Sequence, residues 1–487
     1  MAYPLIALLV ASLAVQASAA APKPADGCIT NFDPTVNYFP DQYQDEPFAL
    51  PISQTVVETA NDFTVQYGSY YKVVKNSYDD TTYVLYQCGA VKPPNFPAAT
   101  TRFFEIPLKG FAVDSTVAVS FVQMLGVTNL LNETSSYSVA PCVQKLVADG
   151  AAQVFNESDG LFPGAVFTGM TFQKPVPKNY VSLDTSTDPG PLKRAEWIKY
   201  MALWFNAESR ASEVYSDIET SYNCLKASAP KTTTPVVGWL GYYMDSWTVS
   251  GAPYKLQYVA DAGGVSPAKA YLRAYNMTDP ADKKAFQSLL ATLDIVIDET
   301  YLMTGPSGYS IDAFAKNAGI SVTDTATYKF LATPNVWSMY GRATGAPNYA
   351  TDWFESAIAQ PQVVLAELIS IMHPGDVTVP EKYYFYNVAQ LEMGAVVSAA
   401  NCTTLNPTEV VNPIIPACSA TIVPETPGTA SAPASPPSVG PTPPSSPPPS
   451  SPPPSSPPPA PKAAASSGSL IGAGLAALVA AAVAALV

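Results

Sequence analysis

From Phe63 onward the chain alternates short runs of β-branched and aromatic residues with stretches whose apolar positions recur every three or four residues. FTVQYGSYYKVVKN and TTYVLYQCG predict a hairpin. EIPLKGFAV followed by DSTVAVSFVQMLGV predicts a strand, a cap at an aspartate or serine, and a helix. AQVFN and GLFPGAVFTGM predict further short strands. Next comes PLKRAEWIKYMALWFNAESRASEVYSDIETSYNCLKA, with proline at its start, helical apolar spacing and no internal glycine or proline. It predicts one helix of about thirty residues. The alternation then resumes through TPVVGWL, KLQYVADAGG, KKAFQSLLATL, DIVIDET, SIDAFAKNAG, NVWSMYG and DWFESAIAQPQVVLAELISIM.

Strand–helix alternation on both sides of a long helix predicts an α/β fold of two lobes joined by a rigid connector. One large α/β domain containing an ordinary long helix fits the pattern as well. The two-lobe reading places an N-terminal lobe at 28–190, the connecting helix at 191–227 and a C-terminal lobe at 228–418. The ends are of another character. Residues 1–20 are apolar and finish in AVQASAA, the pattern of a secretory signal peptide. Residues 422–465 carry SPPPSSPPPSSPPP, which builds no helix or sheet and predicts an extended, disordered Pro/Ser-rich stalk. Small residues then precede an apolar tail at 466–487 with no basic flank, as in a glycosylphosphatidylinositol (GPI) attachment signal at Ser466 or Ser467. A plain C-terminal membrane anchor is the alternative. Either end-state predicts an extracellular protein, on the cell surface or in a periplasmic space, tethered to the membrane through its C-terminus.

Cysteine usage agrees with that compartment. Cys28, Cys88, Cys142, Cys224, Cys402 and Cys418 are widely spaced without a CxxC, so they read as disulfides. Fifteen pairings are open, and Cys402 with Cys418 is the most local. Asn132, Asn156 and Asn276 head glycosylation sequons; Asn401 heads a fourth but adjoins a cysteine. The net charge of −14 argues against nucleic acid as a partner and suits a cation.

Catalytic chemistry is sparse. The single histidine, His373, stands where a helix ends before a proline, and suits a helix C-terminal contact. One histidine rules out HExxH, three-His and Cys2His2 sites, and no GxSxG, P-loop or helix-opening GxGxxG occurs. The chain reads as no enzyme; paired carboxylates leave a secreted glycoside-type hydrolase as a lesser alternative.

The ordered segments YVLYQCG, IPLKGFAVDSTVAVSFVQMLGV, RAEWIKYMALWFNAE, GWLGYYMDSW, YVADAGG, DIVIDETYL and DWFESAIAQPQVVLAELISIMHP resemble a periplasmic-binding-protein-like chain. The similar class has a single long interlobe helix and carries siderophores, cobalamin, haem or metal ions. With its secretion signal, the chain also resembles the iron-assimilating, high-CO2-inducible surface proteins of green algae. The SPPP repeats resemble hydroxyproline-rich wall glycoproteins. The resemblance implies a substrate-binding protein for iron uptake, with ferric iron or an iron complex as cargo and membrane ferric transport machinery as a partner. Disulfides, stalk and lipid-type tail depart from the bacterial pattern. A structural or adhesive surface glycoprotein is the alternative.

In two-lobed α/β binders the ligand lies between strand-end loops. On the first lobe these loops hold Asp114, Ser115 and Thr116, and Asp184 with Asp188. On the second they hold Tyr242, Tyr243, Asp245 and Trp247, then Asp298, Glu299 and Tyr301, then Trp337 with Tyr340, and Asp352 with Glu355. Without histidine, a hard cation needs carboxylate and phenolate oxygen. The expected metal ligands are Glu196, Tyr243, Asp245, Glu299, Asp352 and Glu355; the expected cleft lining is Ser115, Thr116, Tyr242, Trp247, Tyr301 and Trp337. Each has a plainer reading: Asp352 and Glu355 as a helix cap and first-turn acid, Glu196 and Glu208 as solvated connector residues, one of Tyr242 and Tyr243 as core. Glu213 and Asp217, four apart, share a helix face.

Overall fold

The computed structural model describes residues 27–39, 55–78, 80–97, 99–155, 162–169, 177–303, 305–375, 382–390 and 394–403. The signal peptide, stalk, apolar tail, Asn156, Cys418, Ser466 and Ser467 fall outside the described residues.

The first lobe contains two sheets. Strands β1 (Phe63–Tyr67), β2 (Tyr71–Asn76) and β3 (Thr81–Gln87) form an antiparallel meander, and β4 (Thr101–Ile106) joins β3 in parallel. The expected hairpin is therefore the middle of a four-stranded sheet. The second sheet is all parallel, in the order β7 (Gln153–Val154), β6 (Leu131–Thr134), β5 (Phe111–Val113), β8 (Ala165–Thr168), β9 (Tyr180–Ser182). Helix α1 (Val117–Met124) follows β5, and α2 (Pro141–Ala148) follows β6 with proline at its first turn, where no N–H is needed. The two sheets are tied by polar contacts as well as packing: Tyr83 OH accepts from Ser182 N, and Asn76 Nδ2 donates to Ser182 O.

The connector departs from one continuous helix. It comprises α3 (Pro191–Ala195), α4 (Trp197–Ala202) and α5 (Glu208–Ser228), with Asn206 at φ +54° between α4 and α5. The stretch from Ala195 to Glu208 is buried on every side, with the ring of Tyr200 packed at a tilt between those of Trp197 and Trp204. Such a segment fills a core and does not need the straight, one-sided helix of a surface strut. The break is chemically sealed: buried Lys72 donates to Leu203 O and Asn206 Oδ1 and pairs with Glu208, also fully buried. Helix α5 is the long interlobe element. Its Ala211, Val214, Tyr215 and Ile218 pack into the first lobe's core, while Tyr222 and Leu225 pack into the second's.

The second lobe is built on a six-stranded sheet. Parallel strands β10 (Val237–Tyr243), β13 (Ile295–Asp298) and β14 (Val336–Ser338) form its centre. Antiparallel β11 (Ser246–Val249), then β12 (Ala274–Asn276), flank one side, and β16 (Tyr386–Asn387) the other. Helices α6 (Pro253–Asp261), α7 (Pro280–Leu290), α8 (Ile311–Ala318), α9 (Lys329–Ala332) and α10 (Pro361–Met372) intervene in chain order. Their limits follow local chemistry. Asp279 accepts the N–H groups of Ala281 and Asp282 ahead of α7; Ser310 caps α8, which ends on Gly319 at φ +65°. A small parallel pair, β15 (Arg342–Thr344) with β17 (Ala395–Val397), completes the lobe.

The architecture is thus two α/β lobes joined by one long helix, as expected, with the helix starting at Glu208. Cys28 bonds to Cys88 within the first lobe, and Cys142 to Cys402 between the lobes. The local pairing of Cys402 with Cys418 is thereby corrected: the backbone carries Cys402 to α2, 260 residues away in sequence. Cys224 is disulfide-bonded too. Among the described residues no helix is long and apolar enough to cross a membrane.

Candidate functional site

Loops after β5 and β6 of the first lobe's parallel sheet meet second-lobe segments that follow β13 and β15. After β5, Thr116 Oγ1 donates to Phe354 O across the junction (3.3 Å). After β6, the loop Ser135–Ala140 reaches the second lobe: Ser136 O accepts from Asn348 Nδ2 (2.6 Å), and Glu355 accepts from Val139 N (2.8 Å) and Ala140 N (2.7 Å). After β13, Tyr301 OH donates to Asn348 O (3.5 Å), and its ring packs beside Tyr340. Ser115, partly exposed, lies against Gly169 at the end of β8. Ser115, Thr116, Tyr301 and Glu355 are therefore brought together at one junction.

The carboxylates expected to bind metal are engaged within the protein. Glu355 is buried, and its two acceptor bonds satisfy, from the opposite lobe, the N–H groups of the two residues that lead into α2. Burial, with Asp352 beside it, pushes its carboxyl up to about 8 against the pull of those N–H groups. Asp352 faces Arg342 (3.4 Å), and burial raises its pKa despite that cation. Asp352 begins a 3-10 turn, Asp352–Phe354, capped at its start by Thr351 and at its end by Glu355. Glu299 is ion-paired with buried Lys255, which also lies over the rings of Tyr254 and Trp239. Glu196 is fully buried in the first lobe. It accepts from the N–H groups of Glu58, Thr59 and Ala60 (2.6 Å each) and from Lys199 Nζ (2.9 Å). Burial opposes its ionisation, but these donors hold its pKa below the usual value. The solvated reading of Glu196 and Glu208 is corrected for both.

The stretch GYYMDSW lies elsewhere. Met244 and Asp245 both have positive φ and form a two-residue loop between β10 and β11, the geometry of a type I′ hairpin. Asp245 is exposed and accepts Tyr242 OH (2.9 Å); Tyr243 ends β10. Trp247 is fully buried against Tyr242, Phe286 and Phe314, and its Nε1 donates to Asn317 O. Trp247 as a cleft wall, with Asp245 and Tyr242 beside it, is thus corrected to an aromatic core corner below a turn. Trp337 is buried in β14 with Lys382 over its ring. Asp184, Asp188 and Asp298 are buried acceptors of Asn76, of Trp197 and Asn61, and of Thr300 and Tyr309. His373 caps α10, and its Nε2 contacts Ala262 O at the end of α6. Glu213 is exposed and pairs with Arg210 (3.2 Å), and Asp217 is exposed.

Among the described residues no three His, Cys, Asp or Glu side chains converge as a metal cage. The groups that sequence reasoning missed are Asn348, Arg342, Lys255 and the backbone of Val139 and Ala140. Pro141, marking the first turn of α2, was the one legible hint that free N–H groups precede it.

No protein family and no curated protein matches the chain in sequence. In structure it is similar to an ABC transporter substrate-binding protein from Listeria monocytogenes (17% identity, 54% of this chain and 98% of that one, TM-score 0.37). It is similar also to a periplasmic binding protein from Veillonella parvula (10%, 64% and 98%, TM-score 0.40) and to a periplasmic heme binding protein of Vibrio cholerae (12%, 54% and 98%, TM-score 0.38).

Proposed function

We propose that the chain is an extracellular substrate-binding protein that holds an iron complex between its two lobes for assimilation, tethered to the cell surface by the stalk and the lipid-type tail. The observation that carries the reading is the meeting of the loops after β5 and β6 with second-lobe segments after β13 and β15, bridged by Thr116, Asn348 and Glu355. Ligands of open α/β sheets sit at such strand ends. Iron as the cargo element rests on the resemblance given above and on hard-oxygen chemistry.

The geometry favours a complex over a bare ferric ion. Asp352, Glu355, Glu299 and Glu196 each already serve an N–H group or a cation. Displacing them leaves buried donors unpaired, at a cost of about 1–3 kcal/mol each. A cargo that brings its own oxygen shell needs only hydroxyls and surface from the protein. The same internal use of carboxylates favours the second reading, a structural surface glycoprotein whose lobes bind nothing.

Calorimetric titration decides between them. Heat with a ferric hydroxamate and none with ferric citrate-buffered free metal supports the complex. Heat with the free metal restores the bare-ion site. Silence with every iron species, hemin included, leaves the structural glycoprotein.

A further inference from the structure

The two lobes share a covalent link besides the main chain. Cys142, in the first turn of α2, is bonded to Cys402 in the segment after β17. That segment is fixed to the second lobe. β17 pairs with β15, Ala395 N donates to Gly341 O (2.8 Å), and Gly394 lies so close that an added Cβ would come within 1.9 Å of Tyr340 O. Further contacts gather on the residues just before Cys142. Ser136 O accepts from Asn348, the N–H groups of Val139 and Ala140 donate to Glu355, and Val139 packs with Ala350 and Val397 in a small apolar cluster. One segment of the first lobe, Ser136–Cys142, is thus held by the second lobe through hydrogen bonds, apolar contact and a disulfide.

A binder joined through one helix opens by small rotations about that helix. A cross-link between the start of α2 and the segment after β17 opposes such a rotation. We propose that Cys142–Cys402 is a redox-set clasp that keeps the lobes closed, and that its reduction by a thiol frees the Ser136–Cys142 segment and lets cargo exchange. This deepens the between-lobe reading and rests on it for the cargo alone. The chemistry is ordinary thiol–disulfide exchange. Cys142 is buried and Cys402 partly exposed, so the incoming thiolate attacks Cys402 Sγ and expels Cys142 as thiolate, which takes up a proton. A second thiolate of the reductant then attacks the reductant sulfur of the mixed disulfide and expels Cys402. The reductant leaves as a disulfide, having supplied two electrons. Cys28–Cys88 lies within the first lobe and serves as the internal control.

The test is amide hydrogen exchange on the whole chain, comparing wild type, the double variant Cys142→Ser/Cys402→Ser and the control Cys28→Ser/Cys88→Ser. Wild type folded first and then treated with dithiothreitol gives the same comparison should the double variant fail to fold, with mass mapping of which bond has opened. The expected result is exchange at least about tenfold faster in residues 136–142 and 342–357 of the double variant, with both cores unchanged and the control like wild type in those segments. Unchanged exchange there overturns the clasp, as does equal loosening of both cores. Dissociation of bound ferric hydroxamate is read separately: faster release on opening supports cargo control, and an equal rate rejects it. If no iron species binds, the exchange result still decides the clasp, while the cargo reading fails by itself.

Discussion

Glu367 offers a quantitative test of how this fold treats buried acids. It lies in the middle of α10, fully buried, and its two oxygens accept from Tyr383 N (2.6 Å), Tyr384 N (3.2 and 3.1 Å) and Phe385 N (3.1 Å). Those donors belong to the bend that leads into β16. Burial pushes the Glu367 carboxyl from its ordinary 4.5 to about 8, against the pull of these N–H groups and of Lys382. The sign of the linkage follows. Between pH 4.5 and 8 the folded chain keeps a proton that the unfolded chain has lost, so stability falls as pH rises. One such group contributes about 1.4 kcal/mol per pH unit, or roughly 5 kcal/mol across the window. Glu355, also raised to about 8, adds a second proton of the same sign. Glu367→Gln removes one of the two. Its amide oxygen keeps one acceptor position, while its NH2 faces a backbone N–H, which costs about 1–3 kcal/mol. Guanidinium unfolding at pH 5, 6, 7 and 8 without reductant measures both effects. The variant should be less stable than wild type at pH 5, and the gap should close or reverse by pH 8. An unchanged pH slope would mean that the N–H groups outweigh burial and that Glu367 is ionised in the fold, refuting the argument.

Three further outcomes follow from the same packing and polar contacts. Lys72→Met or Glu208→Gln alone should cost about 3–5 kcal/mol by leaving a buried charge unpaired, while Lys72→Met/Glu208→Leu should recover much of it; denaturant midpoints in a double-mutant cycle check this. Trp247→Ala should cost about 3–5 kcal/mol as a core cavity, whereas Asp245→Ala, at an exposed turn, should shift the midpoint by no more than about 0.5 kcal/mol and leave titration of a ferric hydroxamate unchanged. In chain secreted from a glycosylating host, Asn276 should carry a glycan, since it is exposed on edge strand β12 with Thr278 donating to its Oδ1. Asn401, whose Oδ1 accepts from Ser398 N beside the Cys402 bond, should not; glycopeptide mapping distinguishes them.

Much of the fold was legible because its signals are local. TPVVGWL and DIVIDET became buried parallel strands, and Asp279, Ser310 and Gly319 marked helix ends that a reader can find from side-chain chemistry. The connector misled for an equally physical reason. Its apolar and aromatic residues continue at helical spacing through Trp204, and neither glycine nor proline announces a break. What ends α4 is tertiary: a lysine on β2, over a hundred residues earlier, takes the carbonyl of Leu203 that the helix releases. No window of sequence contains both partners.

The site shows the same division more sharply. Acidic residues at strand ends were readable, but their partners were not, because those partners are backbone N–H groups and cations contributed from distant segments. Glu355 and Val139 stand 216 residues apart, and Cys142 and Cys402 stand 260 apart. Once those partners are known, an acid at a strand end ceases to be a free donor. Glu355 in particular satisfies two N–H groups that would otherwise be orphaned inside the junction, so releasing it to a metal opens the same contact that keeps the lobes together. Cargo affinity and lobe closure would then oppose each other for a bare ion, and act together for a complex that fills the junction without displacing Glu355. That coupling, more than the number of oxygen donors on the second lobe, is the reason to expect a preassembled iron complex in the cleft.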